Sequence, residues 1–239
     1  MSESRHRLPS AHLDNERDIW VRLPAAGTTA EVLLVFLDAE LYRERVGSPA
    51  IVDSLEASGH IPPAIVVHVS HASTEARWLE CPCHPPFAAF VIDELMPWLA
   101  RQHPEVARCT ERVLIGLSYT GLAASFVALQ PSSPFTSVIS QSGSYWSDDE
   151  WLTREYASRP PTRPVRHHVE VGRRETQTQV RHKEDVLQVA SQRDAVHRFR
   201  DTLERCGYVV NFHEFDGGHE FDWWRRTLPD ALCWAMRSR

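Results

Sequence analysis

The first residue in this chain whose type and setting could do chemistry is a serine between a strand-like run and a helix-like run. Val113-Leu114-Ile115-Gly116 reads as a short buried strand, Leu117 to Thr120 as a tight turn, and Gly121 to Leu129 as a helix rich in Ala and Leu. A serine on such a strand-to-helix turn takes strained dihedrals and needs small neighbours. The turn lifts its Oγ above the sheet edge and sets the helix N-terminus beneath it, where the dipole favours developing negative charge. Ser118 is therefore the candidate nucleophile. The pattern departs from the common Gly-x-Ser-x-Gly, because Thr120 holds the last position and glycine follows as Gly121. A serine that merely caps a helix would look the same over so short a span, so the strand-turn-helix setting carries the reading.

A nucleophilic serine needs a base, and His219 is placed to be one. It stands in Phe215-Asp216-Gly217-Gly218-His219-Glu220, after a strand-like run and before a Trp-rich helix, about a hundred residues beyond Ser118. Two glycines let the backbone turn sharply and bring an imidazole over the sheet. Among the 13 histidines, His6, His12, His103, His182 and His197 lie in helix or tail surroundings, and His68, inside an apolar strand, reads as a core residue. The acid that orients the imidazole should follow the preceding strand, and Glu175 lies just past Val169-Glu170-Val171-Gly172. Asp194 and Asp216 are rivals, and a Ser-His dyad without an acid stays open.

The elements that must hold these residues alternate in type. Strands are expected at 18–23, 32–37, 64–69, 112–116, 135–140, 165–171 and 209–215, and helices at 49–58, 87–102, 121–129, 190–206 and 228–236. Continuous apolar runs such as Val32 to Leu37 suit strands covered on both faces. Residues 147–163, with Arg159-Pro160-Pro161, look irregular enough for a lid or binding loop. The pattern is α/β, with a mostly parallel central sheet and helices on both faces. With the order serine, acid, histidine it predicts a single-domain α/β-hydrolase fold over residues 15–239, preceded by a polar N-terminal tail at 1–14.

Bulk properties narrow the class. The chain has 239 residues and a formal net charge of −6 with both signs interspersed, so no basic stripe offers itself to nucleic acid. No apolar run is long enough to span a bilayer, and residues 1–15 do not read as a secretory signal, which points to the cytoplasm. Lys183 is the only lysine, and Arg supplies the other positive charges. Five cysteines at irregular spacing argue against a disulfide framework. Cys81-Pro82-Cys83-His84 lacks the second ligand pair a zinc site wants, so neither metal nor cofactor is expected. The sequence leaves the oligomeric state open.

Four blocks together resemble the esterase D-like α/β hydrolases, and within them the enterochelin (enterobactin) esterase group that cleaves siderophore trilactones. They are Leu37-Asp38-Ala39-Glu40; Arg77-Trp78-Leu79-Glu80 with Phe87 and Glu94-Leu95-Met96-Pro97-Trp98; Gly116-Leu117-Ser118 through Ser140-Gln141-Ser142-Gly143-Ser144-Tyr145-Trp146; and Gly172 to Glu175 with Gly217-Gly218-His219 and Trp224-Arg225. The resemblance covers about residues 17–233. It implies an ester hydrolase with Ser118, His219 and Glu175 at the matched positions. It also implies an oxyanion hole from the backbone N–H of Tyr119 and one in the Asp38–Glu40 turn, at Ala39 or Glu40. Ala39 and Thr120 stand where the family has glycine. The larger family esterases carry an N-terminal accessory domain for which this chain is too short, which separates the fold from the trilactone substrate.

The expected partner is a small-molecule ester or lactone. Asp38, Tyr42, Arg77, Tyr145, Trp146 and Trp223 are candidates to bind it, since aromatic faces and an arginine suit an aromatic, anionic ligand such as a catecholate. Acyl transfer on the same scaffold, or a binding protein that kept the fold without catalysis, are the alternatives.

Overall fold

Along residues 32–37 the side chains divide cleanly between two cores. Val32, Leu34 and Phe36 enter one, and Leu33, Val35 and Leu37 enter the other. A strand that is apolar on both faces must be covered on both, and this requirement organises the whole architecture. The computed structural model describes residues 2–159 and 163–236. Its strands are β1 (Ser2–Ser10), β2 (Asn15–Leu23), β3 (Val32–Leu37), β4 (Ala64–Val69), β5 (Glu111–Leu117), β6 (Ser137–Gln141), β7 (Arg166–Gly172), β8 (Val180–Lys183), β9 (Val186–Gln188) and β10 (Val209–Phe215). Its α-helices are α1 (Ser48–Ala57), α2 (Thr74–Glu80), α3 (Pro85–Ala89), α4 (Met96–Gln102), α5 (Tyr119–Leu129), α6 (Ser147–Ser158), α7 (Gln192–Arg205) and α8 (Phe221–Ala235).

Eight strands form the central sheet in the order β1-β2-β4-β3-β5-β6-β7-β10. β1 and β2 run antiparallel at one edge, and the other neighbours are parallel from β4 to β10. α1 and α8 cover one face, and α3 to α7 cover the other. β8 and β9 make a separate antiparallel hairpin. This is the expected α/β fold with a mostly parallel sheet. Among the described residues no helix is long and apolar enough to cross a membrane.

Three local expectations give way. The polar tail is instead the edge strand β1, paired with β2 from Ser2↔Leu23 to Ser10↔Asn15. Its cross-strand charge pairs, Arg5 with Asp18 and Arg7 with Glu16, take the place of the apolar alternation that would have announced a strand, and charge on an edge discourages pairing with another chain. The helix expected at 87–102 is broken into α3, a π-helical turn at Phe90–Leu95 and α4. Pro97 has no N–H and its ring crowds the carbonyl four residues back. The chain widens just before it, and the Met96 N–H reaches back to the carbonyl of Val91. The irregular stretch at 147–163 is irregular only in part: α6 is kinked where Asp148, Asp149 and Glu150 take positive φ, and its regular turns beyond them are anchored by buried Leu152 and Tyr156 one turn apart. Of that stretch, residues 160–162 lie outside the described residues.

Candidate active site

β5 delivers Ser118 to a turn from which α5 departs at once, and Ser118 carries φ 52° and ψ −122°. A non-glycine residue in that region is strained by about 1–3 kcal/mol, and the surroundings must hold it there. A Cβ at Gly116 would lie 2.1 Å from the Thr120 carbonyl oxygen, and one at Gly121 would lie 2.7 Å from Ser140 Oγ, so both glycines are required by close approach. Thr120 fits between them because its hydroxyl donates to the Leu117 carbonyl at 2.8 Å and accepts from the Leu117 N–H at 3.0 Å. The departure at Thr120 therefore braces the turn.

The loop between β10 and α8 brings His219 to this serine. His219 Nε2 lies 3.1 Å from Ser118 Oγ, and His219 Nδ1 lies 2.6 Å from Glu175 Oε2. The Glu175 side chain is almost fully buried. Its other oxygen accepts from Ser142 Oγ at 2.6 Å and from the Gly172 N–H at 2.7 Å. Asp194 sits in the first turn of α7 and Asp216 is exposed. The carboxylate that meets the imidazole is Glu175.

Tyr119 opens α5, where a helix has N–H groups without intrahelical acceptors. Across the cleft, Ala39 and Glu40 follow β3 in a turn whose Asp38 has φ 70° and accepts the N–H groups of Leu41 and Tyr42 at 3.0 Å each. Asp38 is buried and ion-paired to His71 Nε2 at 2.6 Å and to Arg77 Nη2 at 2.7 Å. Burial by itself would raise the pKa of Asp38, but His71 and Arg77 outweigh it and hold the carboxyl at about 2. The clamp fastens the Asp38–Glu40 turn to α2. Asp38, Glu40 and His71 are also the described group whose ligand atoms come within 4.8 Å of one another. A metal fits poorly there, because Arg77 already brings a positive charge to the same carboxylate. At Cys81 and Cys83, burial pushes both thiols upward, away from the thiolate a metal requires.

Two cavities meet at the serine, and both are lined by Arg77, Ser118 and His219. One, of about 530 Å³, runs between Trp78, Tyr119 and Trp146 on one side and the β8–β9 hairpin on the other. The second, of about 680 Å³, runs past Asp38, Glu40, His71, Phe221 and Trp224. An ester bond held at Ser118 could send its two halves into separate spaces.

The other candidate binding residues divide. Trp146 lines the first cavity. Arg77 lines both, but it turns Nε and Nη2 onto Asp38, so much of its charge is committed inside the protein. Tyr42 and Tyr145 do not belong to the cleft. Tyr42 is fully buried with its hydroxyl on Gln141, and Tyr145 is buried against Phe199 with its hydroxyl between Ser125 and Ser140. Trp223 stacks on Phe215 instead of lining either cavity, and its neighbour Trp224 is the indole that reaches the cleft. His182, set aside on the sequence, lines the first cavity and stacks on Trp146 at 5.1 Å and 7°. Lys183 beside it lies 5.2 Å from the ring of Trp78. Gln192 bridges this wall to Ser142, accepting from Trp146 Nε1 at 2.6 Å and donating to the Ser142 carbonyl. The hairpin gave little periodic signal, since 180–183 reads Val-Arg-His-Lys. The serine-rich block around Ser142 stood in the family pattern without a role of its own.

Residues 10–235 match the model of the family described as "Putative esterase". The chain belongs to this esterase family. An iron(III) enterobactin esterase of Dickeya dadantii (strain 3937) is 31% identical over 236 residues, which is 95% of this chain and 53% of that protein. The crystal structure of the Shigella flexneri enterobactin esterase in the presence of enterobactin superposes with a TM-score of 0.83 at 25% identity, covering 98% of this chain and 59% of that one. A ferulic acid esterase shares the fold, with a TM-score of 0.75 at 18% identity, over 99% of this chain and 98% of its own. The chain spans between 34% and 53% of the length of the curated relatives it matches.

Proposed function

We propose that the protein is a serine esterase that hydrolyses a carboxylic ester or lactone through an acyl-enzyme on Ser118. The observation that carries this reading is the continuous chain Ser118–His219–Glu175, at 3.1 and 2.6 Å. His219 takes the serine proton at Nε2 as Oγ attacks the carbonyl carbon. Glu175 holds the Nδ1–H tautomer and stabilises the imidazolium, which then returns its proton to the leaving alkoxide. Water activated by the same imidazole releases the acid and restores the serine. The backbone N–H of Tyr119, with that of Ala39 or Glu40 opposite, faces the forming oxyanion, and each such donor is worth about 3–4 kcal/mol in the transition state.

For the substrate we propose a siderophore-like ester with anionic aromatic groups, of the catecholate lactone kind. The similarity to enterobactin esterases supports this, as does the chemistry of the first cavity. Trp78, Tyr119, Trp146 and His182 offer ring faces and edges, with Arg174 on the wall and Lys183 beside it. The test is a panel of catecholate lactones, simple lactones and aryl esters incubated with wild type and Ser118→Ala, read by mass spectrometry. Hydrolysed acid from a catecholate lactone with wild type alone is the expected result. Turnover of simple esters only would remove the siderophore assignment, and equal turnover by Ser118→Ala would remove the serine mechanism.

A further inference from the structure

Behind the triad lies a hydrogen-bond chain whose direction is fixed at its far end. Trp224 Nε1 is 3.1 Å from Ser142 Oγ, and Ser142 Oγ is 2.6 Å from Glu175 Oε1. An indole N–H donates and never accepts. Ser142 must therefore accept from Trp224, and its single proton must point to Glu175. An ionised carboxylate only accepts, and Oε1 is filled by Ser142 and by the Gly172 N–H at 2.7 Å. Oε2 is left to face His219 Nδ1 at 2.6 Å, which then carries a hydrogen. The bare Nε2 is the atom turned to Ser118, at 3.1 Å.

We propose that Trp224 and Ser142 are positioning residues that set the direction of the whole Ser118–His219–Glu175 chain, Trp224 by donating to Ser142 and Ser142 by filling Glu175 Oε1. The proposal rests on the esterase reading of that chain. Two further observations support it. The Trp224 ring meets His219 edge-on, with centroids 4.8 Å apart and planes at 88°, so one side chain fixes both the imidazole and the hydroxyl behind its partner. Ser142 is held at φ 48°, which a non-glycine residue adopts only under constraint. Its backbone is tied on both sides, the N–H to the Glu170 carbonyl and the carbonyl to Gln192. Ser142 is fully buried and lines neither cavity, so substrate contact does not explain the constraint.

The test uses Ser142→Ala, Trp224→Phe and the double variant, each first checked for native thermal unfolding. The first readout is the downfield proton resonance of the His219 Nδ1–H held by Glu175, a signal of a short charge-assisted hydrogen bond. Wild type should show it. Ser142→Ala should shift or abolish it, and Trp224→Phe should move it the same way by less. The second readout is the rate of fluorophosphonate labelling. It should fall about ten- to a hundredfold in Ser142→Ala, the loss expected for one hydrogen bond to a charged group. Phe keeps a ring against His219 and removes only the indole N–H, which acts through Ser142, so the double variant should match Ser142→Ala alone, whereas independent packing roles would multiply. An unchanged resonance in Ser142→Ala, no resonance in wild type, or multiplicative losses would overturn the proposal. If Ser142→Ala does not fold, the resonance of Trp224→Phe decides. If wild type neither labels nor hydrolyses any ester, the esterase reading fails, and the resonance alone still decides the positioning.

Discussion

Asp38 shows how one residue near the cleft can serve geometry before chemistry. Its φ of 70° suits Asp or Asn, and its carboxylate is ion-paired to His71 and Arg77, with Thr120 Oγ1 3.2 Å from Oδ2. Asp38→Asn keeps the backbone preference and removes the charge. It should cost about 2–3 kcal/mol at neutral pH, because Arg77 and His71 lose the anion between them and a shift from 3.8 to about 2 is worth about 1.4 kcal/mol per unit. With the folded carboxyl at about 2, below its ordinary 3.8, that stabilisation is present above 3.8 and is lost as pH falls through 2. Urea unfolding of wild type and Asp38→Asn should therefore differ at pH 7 and converge towards pH 2. A difference independent of pH would mean that the charge does not hold the turn. At the same scale, a chelator should leave turnover intact, since Arg77 occupies the carboxylate a cation would need. Loss restored by a divalent ion would contradict this.

The elements of the site differ in how plainly the sequence announced them. The β8–β9 hairpin contributes His182, whose ring extends the Trp146 surface. His182→Ala should raise KM for an aromatic ester about three- to tenfold, the worth of one stacking contact, and leave a small aliphatic ester unaffected. Equal effects on both esters would mean that the hairpin shapes the catalytic atoms instead. β1 carries a second prediction: deleting residues 1–10 uncovers the β2 edge, so the melting temperature and the monomer fraction should both fall, whereas loss of a mere tail would change neither. The parallel strands were legible because burial on both faces leaves only apolar residues, and the serine turn because strand, small residues and helix follow without a gap. β1 was not, since charge pairs hold it, and neither was the hairpin, whose short polar strands have no buried face to imprint a period. In sequence, the aromatic faces of Tyr42 and Tyr145 resemble ligand contacts. Their hydroxyls are satisfied inside by Gln141 and by Ser125 and Ser140, partners drawn from distant strands and helices that local pattern does not reveal.

At the scale of the whole molecule, the sheet carries the proposed catalytic chain at the C-terminal ends of its parallel strands. Ser118 follows β5, Glu175 follows β7 and His219 follows β10, so three distant segments converge because the strands are parallel and in register. Acid stability is also a property of this sheet. His68 in β4 and His167 in β7 are fully buried, and burial takes each from an ordinary 6.5 to about 3. Each stays neutral in the fold where the unfolded chain would take a proton, so stability is lost as pH falls from 6.5 towards 3, by about 1.4 kcal/mol per unit for each imidazole. His167 packs edge-on against Tyr156 and Tyr208. His167→Phe should flatten the slope of unfolding free energy between pH 6 and pH 4 by about that amount, and an unchanged slope would place the acid sensitivity elsewhere. The central claim is narrower and is tested most directly by locating the nucleophile. Wild type treated with a fluorophosphonate should gain one adduct, which peptide mass spectrometry finds on Ser118, while Ser118→Ala and His219→Ala, both folded, should remain unmodified. An adduct on another residue, or labelling of His219→Ala at the wild-type rate, would contradict the account.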